Sequence, residues 1–342
     1  WAWVSFCQFI KFIYGFNNRI KGSKKMKNYL RTYLQSFIII MTISTSWAST
    51  YVNEEAAHDG LRRGDEPFTR STGIFNINAH PVEPLMIGNQ PLGVKDVVDL
   101  KFNGVLIHPS FVLTSRHSIQ GNKFTPFSGS FWLCPDAGKA WEETMDRETS
   151  LERREYLRQF SCPLDLNNIY LPPDETTDLA IVQLTRPLKD ITCLPLLLEK
   201  PQRNWSNGYF VSYAPVYSLT NPHTMLAQNK RHIAILDIAE DNISFSEPYL
   251  ISKWQLEGNP LDPLNRQFIP QEGKHKLKAF TQESDSGAAF VVKSNQKDYV
   301  AGIHRGRMVA EESSGEVATL ITPLYPHKKW ITGILALGNK NL

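Results

Sequence analysis

The stretch Ser284-Asp285-Ser286-Gly287-Ala288-Ala289-Phe290-Val291-Val292 is a tight polar turn that runs into an apolar, β-branched segment. The turn residues interrupt regular structure, and the segment after them has the composition of a strand. A hydroxyl, Ser286, thus stands at the mouth of a strand. Gly287 follows it, where a side chain would crowd an approaching backbone. Two other segments are built alike. Val112-Leu113-Thr114-Ser115-Arg116-His117-Ser118 is a strand ending in a loop that presents His117. Thr177-Asp178-Leu179-Ala180-Ile181-Val182-Gln183-Leu184 places one acid, Asp178, at the mouth of an apolar strand.

Working outward, the same texture recurs from about Ile74. Short apolar runs such as Val97–Phe102, Gly104–Ile107, Tyr209–Tyr213, His232–Leu236 and Tyr299–Ile303 are separated by Pro, Gly and Asn turns. That pattern predicts an all-β sandwich or barrel. Two segments depart from it. Residues 141–160 are charge-rich, with Glu143 and Arg147 at helical spacing, and read as a helical surface insertion. Residues 324–337 end in Trp330-Ile331-Thr332-Gly333-Ile334-Leu335 and read as a closing C-terminal helix.

The 342 residues are 42% hydrophobic and 21% charged, which excludes a disordered, collagenous or polytopic membrane chain. The formal charge of +3 is unevenly placed. Residues 1–48 hold seven Lys/Arg and no Asp/Glu, so the remainder carries 30 basic against 34 acidic groups. No general basic field is left, and no nucleic acid is expected as a partner. Met26-Lys27 opens a cationic start, followed by the apolar run Phe37–Met41 and by Ser46-Trp47-Ala48. These are the three regions of a secretory signal, with the cut expected after Ala48. Residues 1–25 read as upstream sequence, 26–48 as signal peptide and 49–73 as a polar leader or pro-segment. The folded domain is expected over 74–342, with halves at about 74–200 and 201–323 before the helix. The product is expected outside the cytoplasm, secreted or periplasmic, with no stable membrane association after cleavage.

Export permits disulfides. Cys134, Cys162 and Cys193 follow the signal, an odd number. Cys134 and Cys162 flank the charged insertion, and a bond between them would clip its base. Cys193 lies in an apolar setting that suits a free thiol. There is no CxxC pair and no HExxH, so neither a metal nor a cofactor is expected.

His117, Asp178 and Ser286 supply what acyl transfer through serine needs. A base takes the hydroxyl proton, and a carboxylate fixes the imidazole's tautomer and stabilises the imidazolium. In this order, each beside a strand, they resemble the chymotrypsin-like serine peptidases. The resemblance covers about residues 74–337. It implies two six-stranded antiparallel β-barrels with a cleft between them, and protein or peptide substrates cut by a monomer. It implies His117 as general base, Asp178 as its orienter and Ser286 as nucleophile, with the amides of Ser284 and Ser286 as the oxyanion hole.

Within that family Thr114-Ser115-Arg116-His117, Asp178-Leu179-Ala180-Ile181-Val182 and Gly302-Ile303-His304 are similar to the bacterial V8-type glutamyl endopeptidases. The likeness implies that Thr281 and His304 receive an acidic side chain before the cut bond. It also implies a zymogen in which Asp285 pairs with an amine freed by removal of the pro-segment. Ser284 departs from the pattern, since the family usually has glycine there. That departure favours an alternative, a catalytically impaired relative that binds proteins through the cleft. Phe280 favours another, an active peptidase with an apolar preference. Mass spectrometry of the exported protein should find a chain beginning at Ser49; a mature form still carrying Tyr29 to Phe37 would contradict the signal reading.

Overall fold

The computed structural model describes residues 49–339 apart from 52, 88–89, 122, 138, 141–142, 144–151, 153–154, 156–160, 201–207, 219, 222–223, 237–242, 245–249, 259–265, 269–278, 282 and 310–315. The signal region and nearly all of the 141–160 insertion lie outside the described residues. Ser46–Leu85 and Leu92–Leu342 form one compact unit, which contains every strand and helix named below except parts of β3 and β4.

In chain order the strands are β1 (Ser49–Tyr51), β2 (Thr72–Pro81), β3 (Leu85–Ile87), β4 (Gln90–Leu92), β5 (Val98–His108), β6 (Phe111–Thr114), β7 (Phe124–Trp132), β8 (Ser161–Tyr170), β9 (Ala180–Leu184) and β10 (Gly208–Ser212). They continue as β11 (Val216–Ser218), β12 (His232–Leu236), β13 (Ile243–Ser244), β14 (Leu250–Gly258), β15 (Arg266–Phe268), β16 (Ala279–Phe280), β17 (Ala289–Ser294), β18 (Lys297–Val309) and β19 (Glu316–Pro323). Among the described residues the fully bounded helices are α1 (Glu54–Arg63), α2 (Arg116–Ile119) and α3 (Lys328–Asn339).

The all-β expectation holds. Strands β2-β5-β6-β9-β8-β7 close into a six-stranded barrel. Closure leaves no free edge, and alternate residues fill the interior. Phe75, Ile77, Phe102, Leu106, Val112, Phe131 and Val182 make that core, with Phe75 stacked on Phe102 at 4.8 Å. The second half is an eight-stranded sheet, β12-β10-β17-β18-β19-β14-β13 with β15 on β14. Strand β17 is central, paired on one side with β10 and on the other with β18, and Ala289 to Val292 are fully buried. A further cluster joins the halves: Val105, Leu113 and Leu179 from the barrel meet Tyr209, Val291 and Ile303 from the sheet, and Ile331 of α3 closes on them. The C-terminal helix is thus present, beginning at Lys328 after a short 3-10 turn, Tyr325–His327. Among the described residues no helix is long and apolar enough to cross a membrane.

The described residues of 49–73, expected as a polar leader or pro-segment, carry regular structure that packs on the domain. Their charges, which read as a solvated leader, sit where a helix uses them. Asn53 caps α1 by accepting from Ala56 N at 2.8 Å, Glu54 and Glu55 occupy the first turn, and Arg62 and Arg63 the last. Strand β1 lies between β11 and β16 in a three-stranded sheet.

One expectation needs correction, the disulfide: Cys134, Cys162 and Cys193 are all free thiols. Cys162 pairs across the ladder with Phe131 and so points into the barrel core. Cys134 belongs to a separate cluster with Ile74, Trp132 and Tyr213. The pleat sends Phe131 and Trp132 at the end of β7 to opposite faces; Cys162 lies with Phe131 inside the barrel and Cys134, past the strand's end, with Trp132 outside it. Burial pushes the thiols of Cys134 and Cys193 up to about 11, the unreactive range. Alkylation under denaturing, non-reducing conditions should therefore label Cys134, Cys162 and Cys193, while the native protein reacts slowly. A Cys134–Cys162 cross-linked peptide would overturn the assignment.

Candidate active site

Strand β6 ends at Thr114, and the single turn α2 that follows carries His117. Strand β9 begins two residues after Asp178, and Thr114 pairs with Ala180 across the ladder. Adjacent strands therefore deliver the imidazole and the carboxylate to one end of the barrel. Asp174 shapes the approach to Asp178, its Oδ1 accepting from Thr176 N at 2.9 Å. Arg116 Nη1 reaches Glu175 O at 3.3 Å and ties that loop to the histidine turn.

Asp178 is buried and makes two contacts with one residue. His117 N donates to Oδ1 at 2.8 Å, and His117 Nδ1 lies 2.7 Å from Oδ2. A carboxylate only accepts, so Nδ1 carries the ring proton. Nε2 is left as an acceptor, and Ser286 Oγ lies 2.9 Å from it. The structure thus brings together all three side chains singled out in the sequence.

Ser286 follows a 3-10 turn, Glu283–Asp285. Gly287 has φ +80, and a Cβ there would sit 2.0 Å from Asn103 O and 2.4 Å from Thr114 Oγ1. No side chain fits, and the left-handed backbone suits glycine alone. The turn is held from both sides. Asn103 N donates to Ser286 O at 2.9 Å, and Gly287 N donates to His304 O at 3.0 Å.

Asn103 is a residue the sequence reading missed. It is 2% exposed in the middle of β5. Its Nδ2 donates to Ser284 O at 3.0 Å, its Oδ1 accepts from Tyr213 N at 2.7 Å, and its carbonyl accepts from Thr114 Oγ1 at 2.7 Å. One amide side chain thus links the nucleophile turn to Tyr213, just past the end of β10. The only sequence signal was a polar residue inside the apolar run Phe102-Asn103-Gly104-Val105.

Ser284 lies in the 3-10 turn, and among the described residues the non-glycine positions with positive φ are Asn229, Asn295 and Gln296. Serine is therefore unstrained at 284, and its Oγ is buried with no hydrogen-bond partner among the described residues. Thr281 and His304 are both buried, with His304 Nε2 2.9 Å from Thr281 Oγ1 and Thr281 Oγ1 2.9 Å from Thr319 Oγ1. The Phe210 ring stands edge-on to His304 at 5.5 Å. Burial pulls the His304 pKa down to about 4, against a smaller upward pull from Asp285. It is therefore neutral near pH 7. Phe280 sits in β16 with its backbone paired to Thr50, and its side chain lies outside the described residues. Among the described residues no cluster of His, Cys, Asp and Glu is placed to hold a metal ion.

No protein-family model matches the chain, and no curated protein matches its sequence. Among solved structures it is similar to a mutant of human heparin binding protein, with 15% identity, coverage of 80% of this chain and 94% of that chain, and a TM-score of 0.45. A likeness that slight does not speak to activity.

The pKa of His304 has a consequence for stability. Its folded value, about 4, lies below its ordinary 6.5. Between those values the unfolded chain binds a proton that the folded chain does not. Stability should thus be lost as pH falls from about 6.5 toward 4, by on the order of 1 kcal/mol per pH unit from this group. Urea midpoints measured across that range should fall less steeply for His304→Gln than for the unchanged protein.

Proposed function

We propose that the protein is an exported serine endopeptidase that hydrolyses peptide bonds through His117, Asp178 and Ser286. The observation that carries this reading is the unbroken contact series, Asp178 Oδ2 to His117 Nδ1 at 2.7 Å and His117 Nε2 to Ser286 Oγ at 2.9 Å. As Ser286 Oγ attacks the scissile carbonyl, its proton passes to His117 Nε2. The imidazolium so formed keeps its Nδ1–H on Asp178, which stabilises it. Nε2 then gives the proton to the leaving amine, and a water repeats the sequence on the acyl-enzyme. The developing oxyanion would be met by the amides of Ser284 and Ser286.

We further propose that the residue before the cut bond is Glu or Asp. Thr281 and His304 are polar, buried and bonded to each other, and the His304 backbone is tied to Gly287. An acidic side chain entering such a site needs donors, which a hydroxyl and a neutral imidazole N–H supply. A bound carboxylate would in turn raise the pKa of His304, since opposite charge favours the protonated form.

A fluorophosphonate probe should label Ser286, and Ser286→Ala should abolish both labelling and cleavage while leaving the fold intact. Asp178→Asn should lower kcat by ~10⁴, because it favours the wrong tautomer of His117. A peptide-library profile should favour Glu, then Asp, and His304→Ala should depress kcat/KM for acidic substrates far more than for apolar ones. Normal turnover by Ser286→Ala would remove the catalytic reading. A profile dominated by Phe, Leu or Arg would remove only the acidic preference.

A further inference from the structure

Asp285 is the residue before the nucleophile, and it is fully buried. A carboxylate in that position must be supplied with hydrogen-bond donors or a balancing charge. Part of the supply comes from a place remote in sequence. Ser49 Oγ donates to Asp285 Oδ1 at 2.6 Å across a separation of 236 residues. His232 Nε2 lies 2.8 Å from the same Ser49 Oγ, and His232 Nδ1 lies 3.1 Å from Lys230 O. Ser49 and His232 are both fully buried.

The segment that brings Ser49 there is firmly seated. Ser49 pairs with Val216 in β11, and Thr50 pairs with Phe280 in β16. Tyr51 is 1% exposed, its hydroxyl donates to Ile233 O at 2.9 Å, and its ring stands edge-on to His232 at 6.0 Å. Helix α1 packs directly on that tyrosine, since a Cβ on Gly60 would lie 2.5 Å from Tyr51 Oη. Glu54 Oε1 also accepts from Asn221 Nδ2 at 3.0 Å. Loss of residues 49–63 would withdraw the hydroxyl and uncover the carboxylate. Asp285 O in turn accepts from Ala288 N at 2.8 Å, so a displaced Asp285 moves the turn that carries Ser286.

We propose that Ser49 and His232 are positioning residues that hold Asp285, and through it the Ser286 turn, so that β1 and α1 are a retained working part of the enzyme and not a removable pro-segment. The role in catalysis rests on the peptidase reading; the contact series itself does not.

The test uses the exported protein with Ser49→Ala, Ser49→Thr and His232→Gln. Ser49→Ala should lower kcat and the rate of fluorophosphonate labelling together, by about tenfold to a hundredfold, the range for one hydrogen bond to a charged group. KM should stay within about twofold, because the change acts on the turn and not on substrate contacts. Ser49→Thr, which keeps the hydroxyl, should recover most of the loss, and His232→Gln should fall between. Side-chain ¹⁵N spectra of the histidines give a readout independent of activity: Ser49→Ala should shift the His232 ring signals. If Ser49→Ala does not fold, Ser49→Cys, of similar volume and weaker donor strength, gives the same comparison. Unchanged labelling rate and unchanged His232 signals in Ser49→Ala would overturn the proposal, as would full activity from a chain that begins beyond Arg63. If the unchanged protein does not react with the probe, the peptidase reading fails instead, and the His232 signals alone decide whether Ser49 holds the pair.

Discussion

The structure turns on a place where two backbones meet with no room between them. The position a Gly287 Cβ would take is 2.0 Å from the carbonyl oxygen of Asn103. A turn from the second half of the chain is thereby pressed flat against β5 of the barrel. Backbone contact of this kind is not adjustable by side-chain rotation. It holds the turn through main-chain bonds, Asn103 N to Ser286 O on one side and Gly287 N to His304 O on the other. With both neighbours fixed, Ser286 Oγ has little freedom except to face His117 Nε2. The apolar cluster that joins barrel, sheet and C-terminal helix then acts as the frame that keeps the two backbones together.

Around that contact, buried polar groups divide into separate assignments. Asp178 uses both oxygens on one residue, which fixes both the position of His117 and the side of its ring that carries the proton. Asp285, one residue from the nucleophile, takes a donor from Ser49 on the far side of the chain. His304 is held neutral by burial, so it offers a donor without bringing a charge into the core. Two carboxylates and two imidazoles thus lie near one hydroxyl, and each is distinguished by its partners and not by its chemical type. Selective partnering of this kind is how a folded chain gives like groups unlike roles.

Much of this was legible from the sequence because it is local. His117, Asp178 and Ser286 each sit where an apolar strand meets a turn, and strand ends are visible as changes in composition. The all-β class followed from repeated short runs, and the closing helix from a single apolar stripe near the end of the chain. Where the reading fell short, the reason was local in another sense. Residues 49–73 read as a polar leader or pro-segment because composition carries the charges but not their order; over Glu54–Arg63, acids first and bases last is the arrangement that stabilises a capped helix. Cys134 and Cys162 look like partners in the sequence because they flank one insertion. In the fold Cys162 on β8 faces the barrel interior, and Cys134, past the end of β7, packs with Trp132 and Tyr213.

What the amino-acid order determined by itself was the kind of element at each point in the chain and the chemical groups standing at the element ends. These depend on residues within a few positions of one another, through backbone preference and the period of burial. Only the tertiary structure decided which of those groups meet. Ser49 and Asp285 are 236 residues apart, Ser49 and His232 are 183 apart, and Asn103 and Ser284 are 181 apart. No local propensity encodes such a pairing. It arises when β1 enters between β11 and β16, and when β5 meets the nucleophile turn, because the packing of whole elements sets which side chains are left facing one another in the absence of water.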